Sequence, residues 1–358
     1  MKALILTGGL GTRLRPFTLD TAKPLLPVAN LPFIHYQLRH LRQHGVREVL
    51  LATAYRPEQF KRALGNGRSL GLKIRYIHEK KPLGTGGAVR NCARWLGDTS
   101  IVLNGDVLQS VDIGALRKQH RKEEAEATIT LVRVEDPTRF GLVETEPDGR
   151  IRRFLEKPSP DEITCDTINA GAYIFEKSAL LTMPAGKPYS LERGLFPKLL
   201  GQGRRLFGFV HEGYWLDFGT TEKYLQIHLD VLGGSAPGGR KAAKRRGALQ
   251  LDPGARVDKS ATHQGVGQVL IGKHSHVAAD VLFGGSVSIG PDCRIAEGAQ
   301  LENCVVLGGS TIGSAARLKN CIIGTKCRIG KNAAIGAGVA LGSGSKIKDF
   351  SQLAGGHS

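Results

Sequence analysis

The chain has 358 residues, 41% of them hydrophobic, and a formal charge of +18. That length suits two domains with ordinary cores, and no run approaches the ~18 apolar residues of a membrane span, so a bilayer partner is not expected. The six cysteines are scattered, without a CxxC or a zinc spacing, which predicts free thiols and not a disulfide framework.

The first strand is read at "KALILTGG", beginning at Lys2, so no secretory leader and a cytoplasmic protein are expected. A helix follows in "PFIHYQLRHLRQHG", where Ile34, Leu38 and Leu41 share one face. Then come "REVLLAT" (strand), "PEQFKRALG" (helix), "KIRYIHE" (strand), "GGAVRNCARWLG" (helix) and "SIVLNGD" (strand). This βαβ alternation predicts a Rossmann-like, mostly parallel sheet with helices on both faces. Further strands are expected in "EATITLVRVE", in "GLVETE" and "RIRRFLEKP" joined by the turn Pro147-Asp148-Gly149, in "INAGAYIFE" and in "RLFGFVHEGYWLDFG". "TTEKYLQIHLDVLGG" closes residues 1–233 as a helix stopped by glycines.

Residues 234–253 read as a basic, glycine-rich linker, with five cations between Arg240 and Arg246. From about residue 254 the composition changes. Glycine makes up 23 of the 125 residues after 233, against 24 of the 233 before. Phe283 and Phe350 are the sole aromatics after residue 233, too few for a conventional core. A six-residue period takes their place: Ile271, Val277, Phe283, Ile289, Ile295, Leu301 and Leu307 are in step. The frame slips by one at Ile312 and Leu318, and again at Ile323, Ile329, Ile335, Leu341 and Ile347. A repeat this short cannot fold singly, but stacked coils bury each apolar residue against the one below. Residues 254–358 thus resemble a hexapeptide-repeat, left-handed parallel β-helix, a fold whose exposed edge and flat faces favour a homo-oligomer.

The chemistry is sought first in "LILTGGLGTRLRPFT". It is no Walker A loop, and Leu14 stands where a dinucleotide fingerprint needs its third glycine. What remains is a glycine loop at the end of a strand, able to close its N–H groups on a phosphate chain. Arg13 and Arg15 follow it, and Lys23 opens "KPLLP".

With "GGLGTRLRPFT…KPLLPVAN" the first 230 residues resemble the sugar-1-phosphate nucleotidyltransferases. "PLGTGGAV", "LNGD", "FLEKP", "INAGAYIF" and "WLDFGT" follow in the family's order. Within that family the pattern is most similar to the guanylyltransferases that act on mannose 1-phosphate, which often carry such a β-helix. "LGTGGAV" departs from the "LGTAGPL" common there and is also similar to heptose-1-phosphate guanylyltransferases, which leaves the sugar open. The resemblance implies Mg²⁺-assisted in-line attack of a sugar 1-phosphate on the α-phosphorus of a nucleoside triphosphate. Arg13, Lys23, Asp106 and Asp217 would be catalytic, with Asp106 and Asp217 holding the metal. Leu6, Gly8, Gly9, Gly11, Thr12, Glu79, Gly84 and Thr85 would bind the nucleotide. Gly141, Glu156, Lys157, Asn169 and Gly171 would bind the sugar phosphate.

Glu79 falls where thymine- and uracil-using relatives carry glutamine. A carboxylate only accepts hydrogen bonds, so it suits the paired donors of guanine and favours GTP. Uridylyl, thymidylyl and adenylyl transfer to glucose 1-phosphate remain alternatives. A non-catalytic regulatory subunit is a third, although Arg13, Lys23, Asp106 and Asp217 are all present. His263, His274 and His276 leave room for an acyl-transfer activity in the tail. Nucleic acid is not expected as a partner, because the cations lack interleaved aromatics.

Overall fold

The computed structural model describes residues 1–238 and 244–355. Arg240 and Lys241, two cations of the expected basic linker, lie outside the described residues. The chain divides into two compact units, Met1–Leu10 with Tyr36–Trp215, and Gly11–His35 with Leu216–Ser358.

The first unit is built on one mixed sheet. From edge to edge its strands run Ile151–Glu156, Gly141–Thr145, Thr167–Glu176, Thr99–Asn104, Lys2–Leu6, Glu48–Thr53 and Lys73–His78. The last four are mutually parallel. Thr167–Glu176 turns antiparallel against Thr99–Asn104 and also pairs with Ala127–Arg133, which in turn carries Leu206–Val210. Ala3, Leu4 and Ile5 are buried on both sides of the sheet, which is why this strand reads as an unbroken apolar run. The helices Ile34–Gln43, Pro57–Leu64 and Gly84–Cys92 supply the expected crossovers. "RLFGFVHEGYWLDFG", expected as one strand, splits into Leu206–Val210 and Trp215–Asp217.

One topological detail positions the chemistry. The chain leaves Lys2–Leu6 for Glu48–Thr53 and Lys73–His78 on one side, then crosses back to Thr99–Asn104 on the other. The order therefore reverses at Lys2–Leu6. The carboxyl ends of the strands on either side of such a reversal diverge and leave a crevice, the usual ligand position in open α/β sheets.

The second unit is dominated by the β-helix, which has three sheets of short strands, all parallel except Lys244–Arg246, a strand within the expected linker that pairs antiparallel with Leu249–Leu251 at the edge of the first sheet. The first stacks Leu249–Leu251, Val269–Ile271, Val287–Ile289, Val305–Val306, Ile322–Ile323 and Ala340–Leu341. The second stacks Arg256–Val257, His276–Val277, Arg294–Ile295, Thr311–Ile312, Arg328–Ile329 and Lys346–Ile347. The third runs from Thr262–Gln264 to Gln352–Leu353. Val269 pairs with Val287, three hexapeptides on, but Val305 pairs with Ile322, one residue short. The two frame slips of the sequence are thus coils shortened by one residue. The first coil is longer, since Leu249 pairs with Val269, and its corner carries the 98% exposed Val266. Ile271, Val277, Phe283, Ile289, Ile295, Leu301, Ile312, Leu318, Ile323, Ile329 and Ile335 fill the interior together with Cys293, Cys304, Cys321 and Cys327. Val306, paired with Ile289, takes the inward place expected for Leu307, so the first slip falls one coil corner earlier than the sequence suggests. All six cysteines are free thiols.

Packed with the β-helix in this unit are the helix Thr221–Gly233 and the segment Gly11–His35. The Tyr224 hydroxyl donates to Pro27 O at 2.7 Å, His228 Nδ1 accepts the Ala29 N–H at 3.3 Å, and Asn30 Nδ2 donates to Ile289 O at 2.8 Å. These bonds tie "KPLLPVAN" to elements more than 190 residues away in sequence.

Candidate active site

In the first unit, Leu6 ends the central strand, and Thr7 closes the ladder by donating its N–H to Ala52 O at 2.9 Å. Gly8 and Gly9 follow. A Cβ on Gly9 would meet nothing within 4 Å, so this backbone faces open space. Asp106 stands just beyond Thr99–Asn104, the neighbouring strand across the crevice. Gly105 places it there. The Gly105 N–H donates to Leu6 O at 2.9 Å, and a Cβ on Gly105 would lie 2.4 Å from the same oxygen. A second brace comes from Gln37, 4% exposed, whose Nε2 donates to Asn104 O at 2.7 Å and Val107 O at 2.8 Å. The sequence reading missed Gln37. Its signal was a polar side chain on the apolar face marked by Ile34, Leu38 and Leu41.

Glu79 follows the strand Lys73–His78 and is 6% exposed. One of its oxygens accepts the Leu83 N–H at 3.2 Å, and burial raises its pKa. The carboxylate is therefore held by a short loop with an oxygen to spare. The glycines of "LGTGGAV" serve packing. A Cβ on Gly84 would lie 2.8 Å from Tyr189 O, and one on Gly87 2.7 Å from Lys187 O. Thr85 donates its hydroxyl to Glu192 at 2.7 Å and accepts the Leu191 N–H at 2.9 Å. Gly84 and Thr85, expected at the nucleotide, here seat the segment 187–192 against the helix Gly84–Cys92.

The expected sugar-phosphate residues gather on the antiparallel side of the same sheet. Glu156 pairs with Gly141, where a Cβ would stand 3.0 Å from the Glu156 carboxylate. Burial, helped by the nearby Glu192, raises the Glu156 pKa, while Lys157 opposes the rise. Lys157 is exposed and takes a left-handed conformation, φ 56°. Asn169 lies at an irregularity of its strand; its Nδ2 donates to the Tyr173 hydroxyl at 2.9 Å and its Oδ1 accepts the Gly171 N–H at 3.0 Å. A Cβ on Gly171 would meet Asn104 Nδ2 at 2.8 Å, so Gly171 brings this bulge against the strand end that precedes Asp106. Trp215 Nε1 donates to Ala170 O at 3.0 Å and pins the bulge from the other side.

In the second unit, Gly11 adopts φ 64° and a Cβ there would meet Thr18 and Lys23 at 3.0 and 3.1 Å. The turn Thr12–Leu14 follows, with Leu14 buried and Thr12 and Arg13 exposed. Arg13 does not hang free of structure. The point where a Cβ on Gly219 would stand is 3.3 Å from the Arg13 guanidinium and 3.0 Å from the Asp217 carboxylate. Lys23 is 6% exposed, with its ammonium 5.8 Å from the centre of the Phe218 ring. Asp217 has Lys223 at 3.9 Å. Arg13, Lys23 and Asp217 are thereby brought together around Phe218 and Gly219, although their motifs stand at opposite ends of residues 1–233.

Taken singly, Asp106 in the first unit and Asp217 in the second each offer carboxylate oxygens, the donor type that suits a hard cation such as magnesium alongside water and substrate phosphates. Among the described residues no group of three or more His, Cys, Asp or Glu forms a metal cluster.

Comparison with known proteins agrees with these features. Residues 2–233 match the model of the nucleotidyl transferase family, and residues 265–356 that of the GMPPB C-terminal domain. The chain is 39% identical over 309 residues to a mannose-1-phosphate guanylyltransferase of Mycobacterium tuberculosis, covering 86% of this chain and 80% of that one. It is 36% identical to a probable mannose-1-phosphate guanylyltransferase 3 of rice, over 90% of this chain and 86% of that one. At 32% it is also similar to a UTP–glucose-1-phosphate uridylyltransferase of Synechocystis, with 89% and 86% covered. Among solved structures, HddC from Yersinia pseudotuberculosis complexed with GMP-PN superposes with a TM-score of 0.56 at 28% identity, covering 63% of this chain and 97% of that one. No helix among the described residues is long and apolar enough to cross a membrane. With its strand-order reversal, its glycine loop and the β-helix that follows, the chain belongs to the nucleotidyl transferase family.

Proposed function

We propose that this chain transfers GMP from GTP to mannose 1-phosphate, giving GDP-mannose and pyrophosphate. The observation that carries this reading is the likeness to mannose-1-phosphate guanylyltransferases over 309 residues, spanning the catalytic residues 1–233 and the tail alike.

A phosphate oxygen of the sugar phosphate attacks the α-phosphorus of GTP; the bond from that phosphorus to the bridging oxygen breaks, and pyrophosphate leaves with the electron pair. Two polyanions must approach, and unit like charges at 4 Å repel by roughly 4 kcal/mol at an effective dielectric near 20. Arg13 and the buried Lys23 offset that repulsion and the charge that builds at the α-phosphorus. The backbone from Leu6 through Gly8, Gly9, Gly11 and Thr12 cradles the phosphates. Members of this family generally use a divalent metal. Asp106 and Asp217 would hold Mg²⁺, which supplies charge neutralisation at the reacting phosphates. Glu79 reads the guanine through its remaining oxygen. Glu156 and Asn169 orient the sugar, and Lys157 meets its phosphate. Both reactants are small anions of the cytoplasm, which supports action there. Self-association through the β-helix completes the proposal, and light scattering coupled to gel filtration tests it.

The test of the reaction is a pyrophosphate-release screen. GTP, dTTP, UTP, ATP and CTP are crossed with mannose, glucose, galactose and heptose 1-phosphates, with and without Mg²⁺. GTP with mannose 1-phosphate gives the highest kcat/KM, and chelation abolishes turnover. A clear preference for UTP or dTTP would overturn the reading of Glu79; a preference for another sugar would move the assignment within the family.

A further inference from the structure

The three faces of the β-helix differ in what points outward. On the first sheet the outward column is Leu270, Ser288, Val305, Ile322 and Ala340, aligned rung by rung. It is apolar because the helix Thr221–Gly233 lies over it, with Leu225 and Leu229 beside Ile322 and Ala340. On the second sheet the inward column Val277, Ile295, Ile312 and Ile329 fills the core. Its outward column reads Arg256, His276, Arg294, Thr311, Arg328, Lys346, again in register. All six are exposed.

Folding does not ask for this column. Rungs of a sheet are about 4.8 Å apart, and like charges stacked along it repel. Among the described residues no carboxylate lies within ion-pair distance of Arg256, Arg294, Arg328 or Lys346. The third sheet shows the contrast, where Lys319 is answered on the next rung by Glu302 at 3.0 Å.

The upper part of the column is also concave. A groove of about 700 Å³ is lined by Arg256, His274, His276, Asp292, Arg294 and Thr311, with other residues of the same rungs. That is the volume of a small-molecule site. Arg256 and Arg294 stand two rungs apart, roughly 10 Å along the axis, with His276 between them. A guanidinium forks onto phosphate oxygens, and two of them at this spacing match a ligand charged at both ends. Asp292, the one carboxylate of the lining, disfavours a third phosphate at its corner and suits a hydroxyl.

We propose that this groove binds a small molecule bearing two phosphate groups about 10 Å apart, one on Arg256 and one on Arg294. The site lies wholly on the β-helix and stands or falls independently of the transfer reaction.

The test uses the full chain and hexane-1,6-diyl bisphosphonate, which has two dianionic ends and neither base nor sugar. Titration calorimetry at 150 mM salt shows saturable binding with one site per chain, unchanged by saturating GTP. Arg256→Gln and Arg294→Gln each weaken it about tenfold, and hexylphosphonate, with one charged end, binds at least tenfold more weakly. Arg328→Gln and Lys346→Gln, lower on the same column, change it less than twofold. Absence of binding to the wild-type chain overturns the proposal. So does equal loss in all four variants, which would mark a diffuse cationic stripe, or competition by GTP, which would place the probe at the nucleotide. These side chains are exposed, and an unchanged melting temperature confirms that the variants fold.

Discussion

Gly105 and Leu6 approach so closely that no other residue fits at position 105. The N–H of Gly105 donates to Leu6 O at 2.9 Å, and a Cβ there would stand 2.4 Å from that oxygen. The contact joins the ends of two adjacent parallel strands, one leading to the glycine loop and the other to Asp106. Gly105→Ala must push the two apart. Overpacking of this kind costs about 1–3 kcal/mol. Displacing a reacting group by about 1 Å costs about 10²-fold in rate. The variant is expected to melt a few degrees lower and to lose about 10²-fold in kcat, read by calorimetry and pyrophosphate release. Full activity would remove Asp106 from the reaction.

Gln37 supports the same loop from the helix side through two donated bonds, to Asn104 O and Val107 O. Gln37→Leu keeps the volume and leaves both carbonyls short of a donor, at about 1–3 kcal/mol each. Gln37→Glu sets an acceptor against two acceptors and is partly repaired when the carboxyl is protonated, since its single O–H restores one of the two bonds. Turnover of the glutamate variant, relative to wild type, should therefore recover from pH 8 to pH 5.5, whereas that of the leucine variant should not. A merely structural role for Gln37 would show no such split between the two profiles.

Acid should unfold the protein through buried histidines. His228 accepts the Ala29 N–H and burial lowers its pKa to about 3; His40 falls to about 4 through burial and the neighbouring His44. Both folded pKa values lie below the unfolded value near 6.5. Below 6.5 the unfolded chain binds protons that the folded chain refuses, so stability is complete above 6.5 and falls as the pH drops toward 4 and 3. Each group contributes a slope of about 1.4 kcal/mol per pH unit in that window. Unfolding free energies from urea titrations between pH 7 and 4.5 should fall as the pH falls, and the slope in His228→Gln should be smaller than wild type by about one proton. A flat profile would mean that both rings protonate in place.

Much of this architecture could be read from periodicity, because the periods are consequences of packing. The βαβ alternation follows from a parallel sheet buried on both faces, and the six-residue step from a coil with three sides. Even the frame slips at Ile312 and Ile323 survive as shortened coils. What stayed hidden were long-range relations without a periodic trace. Nothing in "KPLLPVAN" announces that Tyr224, His228 and the Ile289 carbonyl region hold it. Gly84 was expected at the nucleotide; the close neighbour of both Gly84 and Gly87 in the fold is the backbone at Lys187 and Tyr189. Composition can mark a glycine as necessary, but only the fold shows what approaches it.

Gly219 gives the sharpest separation of activity from stability. The position of its absent Cβ is 3.0 Å from the Asp217 carboxylate and 3.3 Å from the Arg13 guanidinium. Both neighbours end flexible side chains and not backbone, so the fold can yield where the charges cannot. A methyl at this point shifts Asp217 and Arg13 by a few tenths of an ångström; the two further methyls of valine displace them outright. Gly219→Ala is expected to lower kcat about tenfold and Gly219→Val about 10³-fold, as if one preorganised charge were removed. The melting temperature of Gly219→Ala should stay close to wild type, since the atoms nearest its added Cβ end the flexible side chains of Asp217 and Arg13, and that of Gly219→Val should fall far less than its kcat. A proportional fall of melting temperature and kcat across the pair would mean that Gly219 serves folding. The graded loss of kcat without a matching loss of stability is the outcome that assigns Arg13 and Asp217 to the reaction.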